Sequence, residues 1–182
     1  MTSAEVGQLA RRVRLLCVDV DGVLTDAGMY YGPDGEVLKR FNTRDGLGLE
    51  RVRQAGIAVA IISGEDSAIV HARAAKLKID DVFCGASDKR AAIDELCARH
   101  GLRLEQVAFI GDDLNDLVAL ECVGFPCAVA DAAAPVKRAA RYVTERRGGD
   151  GAVREVCELL IAAGSPDATQ PSVIESREAS RP

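Results

Sequence analysis

Two aspartates, Asp19 and Asp21, close the apolar run Arg14–Val20 and lead into Gly22. A carboxylate at a strand tip can attack phosphorus and split one hard displacement into two easier ones, and Asp19 is the candidate for that role. Side chains two apart on an extended chain share one side, so Asp21 serves beside Asp19 only if the strand ends and bends there, which Gly22 permits. A carboxylate among other carboxylates has a raised pKa, which makes Asp21 the acid/base candidate. Further along stand Ser63-Gly64, Lys89, and Gly111-Asp112-Asp113 with Asp116 one turn on. Several acidic groups in one pocket repel each other and a phosphate dianion unless a hard cation intervenes, and Mg²⁺ suits that environment. Asp19 and Asp112 are the expected side-chain ligands. Asp113 and Asp116 are expected to orient metal-bound waters and Lys89. Lys89 and Ser63 would hold the phosphoryl oxygens.

These residues must be brought together by the elements that carry them. Arg14–Val20 reads as a buried strand, and Pro33-Asp34-Gly35 supplies turn chemistry for a β-hairpin spanning about residues 29–41. A helix with Asp45 near its start and Gly56 at its close follows, then strand Ile57–Ile62 and helix Asp66–Leu77. Strand Asp81–Cys84, helix Lys89–His100, strand Val107–Ile110 and helix Leu114–Cys122 continue the alternation. Strand Cys127–Ala130, helix Val136–Ala140 opened by Pro135, and helix Val153–Ile161 complete it. Such a pattern specifies a doubly wound parallel α/β sheet with helices on both faces. Ligands in open α/β sheets bind beyond the carboxyl ends of the strands, where D-x-D-G-x-x-T-D, S-G, K and G-D-D-x-x-D all fall. Residues 1–163 are expected to form one domain, and the composition of 164–182 predicts a disordered tail.

Composition narrows the function. The 182 residues carry a net charge of −5, which argues against a broad nucleic-acid-binding surface. Apolar runs such as Ile57–Ile62 are far too short to span a membrane, and the N-terminal stretch lacks a signal-type apolar run, so the cytoplasm is the expected compartment. The six cysteines form no C-x-x-C pair and read as reduced core residues. His71 and His100 are the only histidines, which excludes a His-rich metal site and leaves oxygen ligands for the metal chemistry. Structural roles are expected for both. The basic run Lys137, Arg138, Arg141, Arg146, Arg147 reads as a solvated face. Gly148-Gly149-Asp150-Gly151 reads either as a linker or as a nest of amides for an anion.

The four motifs, in this order and each at a strand end, resemble the haloacid-dehalogenase phosphohydrolase superfamily over Arg14 to about Ile161. The resemblance implies a Rossmann-like fold, an aspartyl-phosphate intermediate on Asp19, Mg²⁺ as cofactor, and the main-chain carbonyl of Asp21 as an added metal ligand. The hairpin and one helix fill the segment between Asp21 and Ser63, so no cap domain fits; either the substrate is macromolecular or another subunit closes the pocket, and oligomerisation is the natural remedy. The finer motifs GVLTD, FNTRDGLG, SGE, DK, GDDLND and GGDGAVRE resemble the capless tetrameric branch acting on 3-deoxy-2-keto sugar acid phosphates. That likeness implies a homotetramer joined through the hairpins, with a neighbouring subunit lining each pocket. Asn42, Thr43, Arg44, Asp45 and Gly46 match the branch's substrate loop, and Arg73 matches its substrate-contacting arginine. Glu65 with Arg73 and Lys76 looks closer to relatives acting on nine-carbon acid 9-phosphates, while Arg44-Asp45-Gly46 leans toward the eight-carbon enzymes. The expected substrate is 3-deoxy-D-manno-octulosonate (KDO) 8-phosphate, with the KDN and N-acetylneuraminate 9-phosphates as the alternative.

Two other classes make contrary demands. A phosphoacceptor receiver domain also clusters aspartates on a doubly wound sheet, but its acidic pair precedes its acceptor, whereas here D-x-D comes first. A non-catalytic oligomerisation module would be expected to lack Asp19 or Asp21, and both are present.

Overall fold

A computed structural model of the chain describes residues 2–164. It opens with helix α1 (Ser3–Arg12), which the sequence reading did not anticipate. Thr2 and Glu5 cap one another's backbone amides at its start, and Arg11 and Arg12 complement the helix dipole at its end. Strand β1 (Leu15–Val18) is buried throughout and occupies the middle of the sheet. The hairpin follows as β2 (Tyr30–Gly32) and β3 (Gly35–Leu38), paired only with each other and joined through Pro33-Asp34, with a Thr25–Phe41 bridge at its base.

Helix α2 (Thr43–Gln54), β4 (Ala58–Ile62), α3 (Ala68–Leu77), β5 (Asp81–Phe83), α4 (Lys89–His100) and β6 (Val107–Gly111) come next, each within two residues of expectation. The expected helix Leu114–Cys122 divides into a 3₁₀ turn, Leu114–Asp116, and α5 (Leu117–Cys122), because Asp113 and Asp116 cap the tighter turn reciprocally. Strand β7 (Phe125–Ala128) starts two residues before the expected Cys127, with Pro126 near its beginning, where a missing donor is tolerated. Helix α6 (Ala134–Ala139), the two-residue β8 (Tyr142–Val143) and α7 (Ala152–Gly164) finish the chain. Gly164 closes α7 rather than opening a tail, and residues 165–182 lie outside the described residues.

The six strands of the main sheet run parallel in the order β5-β4-β1-β6-β7-β8. Helices α1, α2, α3 and α7 pack as one group and α4, α5 and α6 as another, as right-handed crossovers leaving β1 in opposite directions require. The core threads between them through Leu16, Ile61, Phe109, Phe125 and Leu160. Emptying one aromatic position there, as in Phe109→Ala, would cost about 3–5 kcal/mol. The winding reverses between β1 and β6, so their carboxyl ends splay and leave a crevice. Among the described residues there is no cap domain over it.

Candidate active site

Asp19 follows β1 directly, anchored by its amide to the Ile110 carbonyl at 3.1 Å, and is only 5% exposed. Lys89 is the first residue of α4 and is 2% exposed. Its Nζ sits 2.6 Å from Asp19 Oδ1 and 2.5 Å from Asp116 Oδ1. Burial alone would lower the pKa of this ammonium, but the two carboxylates outweigh it and hold it above the ordinary value. Asp116 is fully buried, and its other oxygen accepts the amides of Asp112 at 2.8 Å and Asp113 at 3.4 Å, which fixes the loop beyond β6.

Asp112 approaches from that loop and closes the group. Oxygens of Asp19, Asp112 and Asp116 lie within 4.8 Å of one another. Burial, and then the Asp19 and Asp116 charges, push the Asp112 carboxyl up to about 8. Burial and Asp116 likewise push Asp19 up to about 7, against the pull of Lys89. Three carboxylates face one ammonium, an excess of negative charge that a hard divalent cation would neutralise. Both Asp116 oxygens are engaged, so Asp19 and Asp112 are the side chains free to hold such an ion, and an Mg²⁺-type donor set fits. Gly22 makes the approach possible: with φ at +83°, a Cβ there would meet Asp112 Oδ2 at 2.0 Å.

Asp21 has surroundings other than those expected. It faces a cation rather than a ring of carboxylates, because the hairpin folds Lys39 back to 2.6 Å from Asp21 Oδ1. Lys39 also pairs with Glu36 at 2.6 Å, and Ser67 Oγ donates to the other Glu36 oxygen at 2.6 Å. A continuous polar chain thus runs from Asp21 through the hairpin to the N-cap of α3.

One cavity of about 430 Å³ collects Asp19, Asp21, Ser63, Glu65, Asp112 and Asp113 on its walls. A larger cavity of about 630 Å³, lined by Leu9, Arg12, Leu120 and Arg141, brings no such convergent groups together. Ser63 is buried, with its Oγ accepting the Glu65 amide at 3.2 Å. Asp113 contacts neither Lys89 nor Asp116's carboxylate through its own side chain; it is exposed and caps the Leu114 amide at 2.7 Å.

The expected substrate loop does not reach this cavity within one chain. Asn42 caps α2 and donates to the Gly149 carbonyl at 3.2 Å, while Thr43 and Arg44 are exposed on the first turn. Asp45 is buried, and both its oxygens accept amides at the start of α7, from Gly151 at 3.2 Å and Arg154 at 2.8 Å. Its carboxylate is an anchor between helices, not a free recognition group. Gly46 gives Arg73 room, since a Cβ there would lie 2.4 Å from the guanidinium, which donates to the Asn42 carbonyl and rests 5.5 Å from the Phe41 ring centre. Lys76 lines a separate cavity of about 380 Å³ with Glu50 and Arg53.

The glycine motif Gly148–Gly151 serves as neither open linker nor vacant nest. A Cβ at Gly148 would come 1.7 Å from the Gly22 carbonyl, and Gly149 donates to the Val23 carbonyl at 2.9 Å. The motif buttresses the loop that carries Asp21. Lys39, Glu36 and Ser67 escaped the sequence reading; the one available hint was a paired Glu-x-x-Lys beside a turn.

The model of haloacid dehalogenase-like hydrolases matches residues 65–156. The 3-deoxy-D-manno-octulosonate 8-phosphate phosphatase KdsC of Escherichia coli (strain B / BL21-DE3) is 46% identical over 161 residues, covering 88% of this chain and 86% of the relative. This chain belongs to the haloacid dehalogenase-like hydrolases. Among solved structures, this hydrolase is similar to the octulosonate 8-phosphate phosphatase of Moraxella catarrhalis, crystallised with magnesium, phosphate and KDO. That match has a TM-score of 0.86 and 41% identity, and covers 89% of this chain and 93% of that one. The cobalt-bound enzyme of Haemophilus influenzae matches at a TM-score of 0.85 and 41% identity, over 86% and 92% of the two chains. The fold and the family expected from the four strand-end motifs are both upheld for this hydrolase.

Proposed function

We propose that this hydrolase cleaves KDO 8-phosphate to KDO and inorganic phosphate with Mg²⁺ as cofactor. The observation that carries this is the 46% identity to an octulosonate 8-phosphate phosphatase over 88% of the chain. In the proposed mechanism an Asp19 oxygen attacks phosphorus, and the sugar alkoxide leaves with a proton from Asp21. Water then attacks the aspartyl-phosphate, and Asp21 takes its proton. Lys89 and Ser63 hold phosphoryl oxygens through both transfers. Asp19, Asp112 and the Asp21 main-chain carbonyl would hold Mg²⁺, which supplies charge neutralisation for the phosphoryl group. Support for these roles comes from the ion pair between Lys89 and Asp19 and from the shared cavity.

The quaternary arrangement belongs to the same reading. The substrate loop lies away from its own chain's cavity, and the hairpin exposes Met29, Tyr30, Tyr31, Val37 and Leu38. A homotetramer built through the hairpins would cover these side chains and let Arg73 and Lys76 serve a neighbour's pocket. No helix among the described residues is long and apolar enough to cross a membrane. We assign the enzyme to the cytoplasm, with neither nucleic acid nor membrane as a partner. The deciding experiment compares kcat/KM for KDO 8-phosphate with that for the nine-carbon 9-phosphates, using wild type and Asp19→Asn. KDO 8-phosphate is expected to lead and Asp19→Asn to be inactive; preference for a nine-carbon acid would overturn the substrate, and an active Asp19→Asn the mechanism.

A further inference from the structure

We propose that Asp66, His71 and Cys84 form a second metal site, separate from the carboxylate centre and suited to a transition ion of the zinc class. Asp66 lies in the loop between β4 and α3, His71 at the end of the first turn of α3, and Cys84 directly after β5. One ligand atom from each lies within 4.8 Å of the other two. His71 Nε2 and Asp66 Oδ1 are 3.7 Å apart, too far for a hydrogen bond. That spacing is close to the roughly 3.4 Å between two ligands that each sit about 2.1 Å from a tetrahedral ion. A Cβ at Gly85 would rest 3.6 Å from that of Asp66, so the two loops already touch.

The donors decide which ion belongs there. A thiolate, an imidazole and a carboxylate make a borderline-soft set that favours Zn²⁺ or Co²⁺ and disfavours Mg²⁺. Three protein ligands leave a fourth position for water. Asp66 and His71 are exposed and Cys84 is half-buried, so an ion would enter directly from solvent. Counting histidines ruled out a His-rich centre, but one histidine suffices when the topology delivers a cysteine and an aspartate from neighbouring strand ends. Asp66 directly follows Glu65 on the cavity wall, and Ser67 beside it holds Glu36. Occupancy would therefore pin the loop that carries Ser63 and Glu65.

The test is Co²⁺ titration of the full-length protein in excess Mg²⁺, followed by absorption. A thiolate-to-cobalt charge-transfer band is expected, displaced by Zn²⁺, lost in Cys84→Ser, weakened in His71→Ala and retained in Asp19→Asn. The carboxylate centre contains no sulfur and cannot give this band. His71 is exposed, so its replacement keeps the test decisive even where Cys84→Ser folds poorly. Absence of the band in wild type, its persistence in Cys84→Ser at full strength, or its loss in Asp19→Asn would overturn the proposal.

Discussion

Lys39 Nζ and Asp21 Oδ1 are 2.6 Å apart, which makes the hairpin and the proposed acid/base carboxylate one mechanical unit. The Lys39 side chain is fully buried while that of Asp21 is 26% exposed, so the ammonium approaches from the protein side. Replacing it with an apolar side chain of similar length leaves Asp21 and Glu36 without a counter-charge. Lys39→Met is expected to lower kcat about tenfold or more, since positioned acid–base catalysis contributes roughly 10²–10⁴. Steady-state kinetics measure this, and a kcat equal to that of wild type would refute the coupling.

Gly22 and Asp112 make a second such unit. The glycine takes φ +83° and lies where a side chain would strike Asp112 Oδ2. Gly22→Ala carries backbone strain of about 1–2 kcal/mol and displaces the carboxylate proposed as a metal ligand. The expected result is Mg²⁺ affinity about 10–100-fold weaker, the range typical when a metal ligand loses its support. An Mg²⁺ activation curve reads it directly, with circular dichroism to show that the variant is folded; an unchanged curve would count against Asp112 as ligand.

How far the sequence could be read depended on how far apart the interacting partners lie along it. That Asp19, Ser63, Lys89 and Asp112 gather at one end of the sheet was legible because each ends or follows a strand with a strong local signature, and an open α/β sheet aligns such ends. Asp45 was misread because its partners, Gly151 and Arg154, lie more than 100 residues away and are joined to it only by the packing of α2 on α7. Lys39 was missed for a similar reason, since only the hairpin's return brings it to Asp21. Helix α1 was overlooked although Thr2 and Glu5 announce it in the capping-box pattern. The two residues of β8 form a strand only because β7 offers an edge.

The hairpin face gives a prediction about assembly. Tyr31 and Leu38 are 64% and 60% exposed, next to Tyr30 and Val37, and such a patch marks an interaction surface. Under the proposed assembly wild type is expected to elute as a tetramer in light scattering and the double variant Tyr31→Glu, Leu38→Asp at the monomer mass. Its kcat/KM should fall even though Asp19, Lys89 and Asp112 are untouched, because under the proposed assembly Arg73 and Lys76 would no longer meet a neighbour's cavity. Retention of full activity by a monomer would show that each pocket is complete in one chain.

The carboxylate cluster also fixes how stability responds to pH and metal. Asp112 and Asp19 are held up at about 8 and about 7 from an ordinary 3.8, burial being the first cause of both. Between these values the metal-free folded protein binds protons that the unfolded chain has already released, so its stability falls as pH rises. The two groups are least costly below pH about 4, and their penalty is complete once pH has risen through about 8. Mg²⁺ requires the ionised carboxylates, so its binding competes with those protons and relieves the same repulsion. The Tm of the chelator-treated protein should therefore drop between about pH 5.5 and about pH 8.5, and the Tm gain on adding saturating Mg²⁺ should grow over that interval. Asp112→Asn should flatten both trends, because it removes the most strongly raised carboxyl and the proposed metal ligand together. Differential scanning calorimetry with and without Mg²⁺ measures all three, and a metal-induced gain independent of pH would separate these carboxylates from the metal.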